Sequence, residues 1–150
     1  MLLQIIVGTM LLVISTMIAG ASALVMMRFF RLRNAWLARP PHDQHMIFAM
    51  MIASLWVLFI IVASVTVWAV GFRLLGLFPT MEEAVYFSLT VFTTLGFGDV
   101  LLPQEWRILG VIGAVNGLLN ISLLTAILIE VLRNIRARQA VPSSNREDQE

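Results

Sequence analysis

The sequence contains no cysteine, which excludes disulfide bonds, thiolate metal sites and cysteine nucleophiles, and leaves the redox compartment open. It also contains no lysine, so its ten basic residues are all arginine, and it has only two histidines, His42 and His45. No nucleophile–base pair and no pair of carboxylates stands out along the chain. The sequence therefore favours a protein that is not an enzyme.

Charge of either sign is scarce. Charged residues make up 13% of the 150 residues, hydrophobic residues make up 59%, and the mean hydropathy is +0.90. The charged fraction is about half that of soluble proteins, which is too little to cover the surface of a soluble chain of this size. The net charge of +1 gives no reason to expect a nucleic-acid partner. The composition predicts an integral membrane protein.

Three long runs without any charge cover residues 2–27, 46–72 and 108–129. Each is longer than the ~20 apolar residues that cross a bilayer as a helix, and isolated strands cannot span lipid. The sequence thus predicts three transmembrane helices. Residues 21–23 (Ala-Ser-Ala) resemble a signal-peptide cleavage site, but the apolar run before them is too long and no basic residue precedes it. We therefore expect the first helix to be retained.

The arginines predict how these helices are oriented. One cluster, Arg28 to Arg39, follows the first run, and another, Arg133 to Arg138, follows the third. Both lie on one side after three crossings, and the positive-inside rule makes that side cytoplasmic. We expect a multi-pass protein of a prokaryotic cell membrane, with its N-terminus outside and residues 73–107 facing outward. Residues 137–150 are polar and lack apolar periodicity, which predicts a disordered cytoplasmic tail.

The outward-facing region contains a helix too short to span the membrane. Thr80 with Glu83 three residues later forms a capping box, which predicts a helix start, and the apolar segment 84–92 continues the helix. Such a segment is tolerated at membrane depth only inside protein or beside a water-filled cavity, so we expect a re-entrant half-helix. Its C-terminus would carry about half a negative charge and would favour a cation.

The segment after this helix reads Thr-Thr-Leu-Gly-Phe-Gly-Asp from Thr93 to Asp99. Glycines at 96 and 98 let the backbone take left-handed conformations that other residues resist. Four carbonyl oxygens could then face one axis, and four chains around that axis would form cages that replace a cation's hydration shell. The Thr94 hydroxyl would add a ring at the inner end. The carbonyls belong to Thr94, Leu95, Gly96 and Phe97.

The Thr-Leu-Gly-Phe-Gly-Asp string, preceded by a short helix and flanked by two transmembrane helices, resembles the pore of the tetrameric potassium channel family. The likeness covers roughly Met46 to Arg136 and leaves the first helix outside. It implies a homotetrameric, all-α membrane protein with three transmembrane helices, a re-entrant pore helix and a selectivity filter in each chain. The domains expected are an N-terminal helix (1–27), a cytoplasmic basic linker (28–45), a pore domain (46–136, with outer helix 46–72, pore helix 81–92, filter 93–99 and inner helix 107–133) and the tail (137–150).

The function implied by the resemblance is passive, potassium-selective permeation. Potassium is the permeant ligand, no cofactor is expected, and the partners are further copies of the chain and membrane lipids. Two alternatives remain open: a cation channel of weak selectivity, and a non-conducting subunit that assembles with other pore proteins. The residues matched to the family are the ion-binding Thr94, Leu95, Gly96, Phe97 and Gly98; the filter supports Tyr86, Phe87, Thr90, Thr93 and Asp99; and the pore-lining or gating Gly117, Leu118, Ile121, Thr125, Ile129 and Glu130.

The sequence departs from the family pattern at two positions. Phe97 replaces the commoner tyrosine and lacks its hydroxyl. Thr90 stands where some relatives have a glutamate that pairs with the aspartate after the filter, so we expect Asp99 to lack that partner.

Several residues permit two interpretations. Gly117, with Gly113 four residues before it, is explained by close helix packing or by a hinge. Asn116 and Asn120 could line a cavity or bond to a neighbouring helix, and the second is favoured. Glu130 could pair with the arginine at 133 or contribute to a ring of carboxylates at the inner mouth.

Two polar segments also permit a functional and a simpler reading. His42 and His45 with Asp43 could form a metal site or pH sensor, although an exposed polar turn is favoured. The segment Arg28 to Arg39 alternates basic and bulky apolar residues, so it could lie on anionic lipid headgroups or serve only as the topology signal.

Overall fold

The computed structural model describes residues 1–32 and 42–140, and in this part of the chain all regular structure is helical. The predicted all-α membrane fold is confirmed, because three helices are long and apolar enough to cross a bilayer, at Leu2–Arg28, Met50–Leu74 and Gln104–Glu130. The helices are α1 (Leu2–Leu32), α2 (His42–Leu74), α3 (Met81–Phe92) and α4 (Arg107–Ala140), with a 3-10 turn at Gln104–Trp106 before α4.

The long helices extend further than the uncharged runs. α1 continues to Leu32, α2 begins at His42, and α4 continues to Ala140, where the sequence predicted a linker and a tail. An uncharged run marks the part of a helix that lies in hydrocarbon, whereas the backbone hydrogen bonds of that helix continue into water. The remainder of the predicted linker and tail, residues 33–41 and 141–150, lies outside the described residues.

Contacts at three depths fix the directions of α1, α2 and α4. Three layers of packed residues, given at the end of this paragraph, follow one another across the membrane. From the first layer to the third, the residue numbers decrease along both α1 and α4 and increase along α2. α1 therefore runs parallel to α4 and antiparallel to α2, and the N-terminus lies on the same side of the membrane as the start of α4. The layers contain Ala23, Ala53 and Ile127; then Ala19, Ile60 and Leu124; then Val7, Phe72 and Leu109.

Two glycines let α1 approach its neighbours closely. A Cβ atom at Gly8 would lie 2.6 Å from the Cδ1 atom of Ile112 on α4. A Cβ atom at Gly71 would lie 2.8 Å from the Cδ1 atom of Leu11, so here the glycine is on α2 and the larger side chain is on α1. Small residues at such contacts are typical of helix packing in membranes, where dispersion attraction replaces the hydrophobic effect.

Candidate functional site

The short helix α3 begins as its capping residue predicts. Thr80 has an extended backbone (φ −124°), and its hydroxyl oxygen accepts a hydrogen bond of 3.2 Å from the backbone N–H of Glu83. Glu82 and Glu83 occupy the first turn, where negative charge complements the helix dipole. These local interactions start α3 directly after the loop that follows α2.

Aromatic packing holds α3 against α2. The ring of Phe87 lies 5.3 Å from that of Phe72 and 5.1 Å from that of Phe78, measured between ring centroids. Phe92, at the end of α3, is only 2% exposed. The resemblance matched Phe87 to a filter support, and the structure places it between α3 and α2, where it fixes the helix that carries residues 93–99, the expected filter and here called the filter segment.

The segment after α3 is attached to the last turn of that helix by its N–H groups. The carbonyl oxygen of Thr90 accepts hydrogen bonds from the N–H groups of both Leu95 (2.9 Å) and Gly96 (3.2 Å), and Thr94 N–H bonds to the carbonyl of Val91 at 3.0 Å. The last carbonyls of a helix have no partner within the helix, so they are available for this role. The filter segment therefore turns its donors towards the end of α3.

Backbone handedness alternates along this segment. Thr94, Gly96 and Gly98 have φ values of +57°, +55° and +80°, while Leu95 and Phe97 between them do not have positive φ. The left-handed conformation predicted for the two glycines is confirmed. No hydrogen bond from the described residues reaches the carbonyl oxygens of residues 94–97. With the N–H groups of residues 94–96 bonded to the helix end, the carbonyl oxygens of residues 94–97 form a strip of free backbone acceptors.

The positive φ of Thr94 is a feature that the sequence did not reveal. A left-handed conformation costs an L-residue roughly 1–2 kcal/mol, and for a β-branched residue it is a marked outlier. Such strain persists where the surrounding structure imposes it, and it is concentrated at functional sites.

In a single chain the filter segment is exposed along its whole length. Leu95 is 57% exposed and Phe97 is 67% exposed, although both are large apolar side chains. An apolar cleft of about 370 Å³ lies beside them, between α3 and the start of α4, and its lining includes Thr94, Gly96 and Val111. An exposed apolar patch of this kind marks an interaction surface.

Asp99 has a hydrogen-bonding partner that the sequence analysis missed. The hydroxyl group of Tyr86 donates to a carboxylate oxygen of Asp99 at 2.6 Å. Thr90 does not reach Asp99, as expected, because its hydroxyl donates to the carbonyl of Phe87 at 2.9 Å. Tyr86, on α3, thus supplies Asp99 with a partner in place of the one that Thr90 does not provide. Tyr86 and Asp99 are 13 residues apart, and no local signal links them.

This hydrogen bond shifts both ionisation equilibria. It lowers the pKa of Asp99 below its ordinary value of 3.8, with smaller contributions from backbone N–H groups, and it raises the pKa of Tyr86 above 10.0. The contribution of Asp99 to stability is present above pH 3.8 and is lost as the pH falls through its lowered pKa. The contribution of Tyr86 is present below pH 10.0 and is lost as the pH rises through its raised pKa.

Tyr86 is the single tyrosine in the chain, so its ionisation can be followed directly by ultraviolet absorbance. We expect the tyrosine of the purified protein to ionise above pH 10.0, and Asp99→Asn to bring its pKa back towards 10.0 because the negative acceptor is gone. Asp99→Glu, which keeps the charge on a longer side chain, is the control for charge alone. An unchanged tyrosine titration in Asp99→Asn would contradict the contact.

The inner part of α4 has one packed face and one free face. Leu118, Ile121, Thr125 and Ile129, which the resemblance matched to pore-lining positions, are all exposed in the single chain. The hydroxyl of Thr125 is satisfied within the helix by the carbonyl of Ile121 at 2.8 Å. Glu130 is also exposed, at the end of the membrane span. The free face of α4 is therefore available to line a shared cavity.

Gly117 lies directly against the end of α3. A Cβ atom on this glycine would collide with the carbonyl oxygen of Phe92 and would lie 2.7 Å from its carbonyl carbon and 2.9 Å from its Cα. These atoms are backbone and cannot rotate away. Close packing therefore explains the glycine, and it joins α4 to the helix that carries the filter segment.

Asn116 and Asn120 form the interhelical hydrogen bonds that the sequence analysis favoured. Both amides are buried, and each donates to the hydroxyl of Ser15 on α1 at 3.1 Å. They lie on the packed face of α4, away from the free face. Their partner could not be identified from sequence, because Ser15 is about 100 residues away and has no recognisable pattern around it.

Metal ligation finds no support in the described part of the chain, which holds no group of three or more His, Asp or Glu residues suited to an ion. The side chains of His42, Asp43 and His45 lie outside the described residues.

A family model described as an ion channel matches residues 55–134, which is more than half of the chain. No curated protein and no solved structure matches the chain. The match covers most of α2, all of α3, the filter segment and most of α4, while α1 precedes it.

Proposed function

Because the chain belongs to this ion channel family, we propose that it is a potassium-selective channel in which four copies surround one pore. The observation that carries the proposal is the strip of free carbonyl oxygens at residues 94–97, in a segment where positive φ alternates with φ that is not positive. Rings of backbone carbonyls that replace the hydration shell are the means by which potassium channels select their ion. The channel conducts passively and performs no catalysis.

The geometry of the run of carbonyl oxygens supports an assembly of several copies, for which we propose fourfold symmetry. A single strip coordinates a cation from one side only, whereas a dehydrated ion needs oxygen ligands all around it. Four strips facing one axis supply those ligands at each level. The exposed Leu95 and Phe97 side chains and the apolar cleft beside them would then contact neighbouring copies instead of lipid or water.

The charge distribution supports an outward-facing filter. α1 runs parallel to α4, so the N-terminus and the filter segment share one side of the membrane. The arginines at the end of α1, Arg28 and Arg31, and those near the end of α4, Arg133 and Arg136, lie towards the opposite ends of these helices, on the side that the positive-inside rule makes cytoplasmic. Ions would therefore pass from the filter to the cavity lined by the free face of α4.

A flux measurement tests the proposal. We expect the purified protein, reconstituted alone into liposomes, to conduct along a potassium gradient and to conduct far less along an equal sodium gradient. Similar flux of both ions would favour a weakly selective cation channel. Absence of flux, in preparations where the protein is folded and tetrameric, would favour a non-conducting subunit.

The inner end of the filter offers a second test. The hydroxyl of Thr94 is proposed to coordinate potassium, so Thr94→Ser should preserve block by barium, an ion that resembles potassium in size. Thr94→Val keeps the shape and the β-branch but removes the oxygen, and it should weaken the block. Equal block in the two variants would count against a ligand role for this hydroxyl.

A further inference from the structure

A cluster of four polar side chains joins α1 to α4 in the middle of the membrane. Ser15 and Thr16 belong to α1, and Asn116 and Asn120 belong to α4. The Ser15 hydroxyl oxygen accepts from both asparagine amides at 3.1 Å, and Thr16 donates to the Asn116 carbonyl oxygen at 3.5 Å. Ser15, Asn116 and Asn120 are at most 1% exposed. Polar residues at this depth are rare and usually functional.

The cluster lies on both sides of Gly117. Asn116 precedes the glycine and Asn120 follows it by less than one turn, yet both bond to the same oxygen of Ser15. A further hydrogen bond of 3.3 Å runs from the Asn120 amide to the Asn116 carbonyl oxygen. A bend of α4 at Gly117 would move Asn120 away from both of these partners. Ser15 therefore bridges a position at which α4 has little intrinsic resistance to bending, because glycine stabilises a helix least of the non-proline residues.

The part of α4 before Gly117 is held by a separate contact. The backbone of Phe92 packs against Gly117 itself, so this end of α4 is fixed to α3 and the filter. From Leu118 to Ile129, α4 is held by α1 and α2 on one side only, and its other face is exposed in the single chain. If the bond to Asn120 is lost, this part can move towards its free face but not towards α1.

We propose that Ser15 is a positioning residue that keeps α4 straight across Gly117 and thereby sets the width of the inner mouth. The proposal rests on the proposed function, in which the free face of α4 lines the pore. α1 packs on the side of α4 opposite to the face that lines the proposed pore. The hydrogen bonds of Ser15 therefore hold the inner half of α4 away from the pore axis. α1, which precedes the matched part of the family model, thus acts as a brace on the conduction path.

The hydrogen bonding of Asn120 is incomplete, which favours a contact between α1 and α4 that can break. Asn120 is 1% exposed, but its own carbonyl oxygen has no hydrogen-bond partner among the described residues. An unsatisfied buried acceptor offsets part of the stability of the straight form. If bending gives this oxygen a partner, the straight and bent arrangements are closer in free energy than they would be with every group paired.

The chain contains a matched control on the same helix. The hydroxyl of Ser22, also on α1, accepts a hydrogen bond of 3.1 Å from the indole N–H of Trp56 on α2. Ser15→Ala and Ser22→Ala remove the same atom from the same helix. Only the first removes a bond to the part of α4 beyond Gly117.

The test is a distance measurement in the full chain. Because the chain has no cysteine, spin labels can be placed at Leu24→Cys on α1 and Arg133→Cys on α4, both exposed positions. Labelled chains are diluted with unlabelled chains so that each tetramer carries one pair, and the α1–α4 distance is measured by pulsed electron resonance. We expect Ser15→Ala to lengthen and broaden this distance, Ser22→Ala to leave it unchanged, and Ser15→Thr, which keeps a hydroxyl, to restore it.

Conduction is measured in parallel with the unlabelled variants. Since one membrane hydrogen bond changes an equilibrium by about threefold, Ser15→Ala should lower potassium flux by at least that factor, and Asn120→Leu should do the same with little change in volume. Equal effects of Ser15→Ala and Ser22→Ala on distance, or an unchanged distance in Ser15→Ala, would overturn the brace. A lengthened distance in a protein that conducts no ions would support the brace while rejecting the proposed function.

Discussion

Gly117→Ala should abolish conduction and destabilise the folded protein. The new methyl group would overlap the carbonyl of Phe92, and a backbone group cannot move aside as a flexible side chain can. Overpacking of this kind costs about 1–3 kcal/mol even where side chains can adjust, and here α4 would have to separate from the end of α3. Since α3 carries the filter segment, the separation should disturb the filter as well as the helix pair.

The measurement is thermal unfolding of the purified protein in detergent, together with potassium flux in liposomes. Gly20→Ala on α1 is the matched control, because a Cβ atom there would meet nothing within 4 Å. We expect this control to melt at the same temperature or higher, since alanine is the better helix former by about 0.5–1 kcal/mol. A Gly117→Ala protein as stable and as conductive as the Gly20→Ala control would refute the close contact.

Gly96→Ala should remove selective potassium flux while leaving the chain folded. The φ of Gly96 is +55°, and a left-handed alanine costs of order 1–2 kcal/mol in each chain. Four chains must accept this cost together, so the strip of carbonyls should relax to another conformation. Within one chain the space around the added methyl group is open, so no collision inside the chain adds to the backbone strain.

Gly76→Ala is the control that introduces the same kind of backbone strain outside the filter segment. Gly76 has a similar φ of +69° and equally open surroundings, but it lies in the loop between α2 and α3. We expect this variant to lose a similar amount of stability and to keep potassium selectivity, measured as the ratio of potassium to sodium flux. Normal potassium selectivity in Gly96→Ala would contradict the proposal that residues 94–97 form the selectivity filter.

Local signals in the sequence were sufficient for the helical elements and for part of the filter. The capping residue Thr80 determines where α3 begins, and its effect depends only on the next three residues. The left-handed conformations at Gly96 and Gly98 were also predictable, because glycine is the residue that adopts them without strain. Each of these features is decided by neighbours along the chain.

Features that depend on the assembled fold were not predictable. Thr94 is left-handed against its own preference, because the N–H groups around it are bound to the end of α3. The partners of Asp99 and of Asn120 come from other helices, and their identity depends on how those helices are rotated against each other. The ends of the long helices differ from the predicted ends for another reason. Hydropathy reports the thickness of the membrane and not the length of the helix.

The free carbonyl oxygens of the filter segment tie ion binding to assembly by thermodynamic linkage. No group among the described residues donates to them, so they must be hydrated by water or coordinated by a cation. If a site complete only in the proposed tetramer binds potassium, the ion stabilises the tetramer over separate chains by mass action, by about 2.7 kcal/mol at a concentration one hundred times its dissociation constant. The permeant ion is then also a structural ligand, and a membrane depleted of potassium would hold a looser assembly of the same chains.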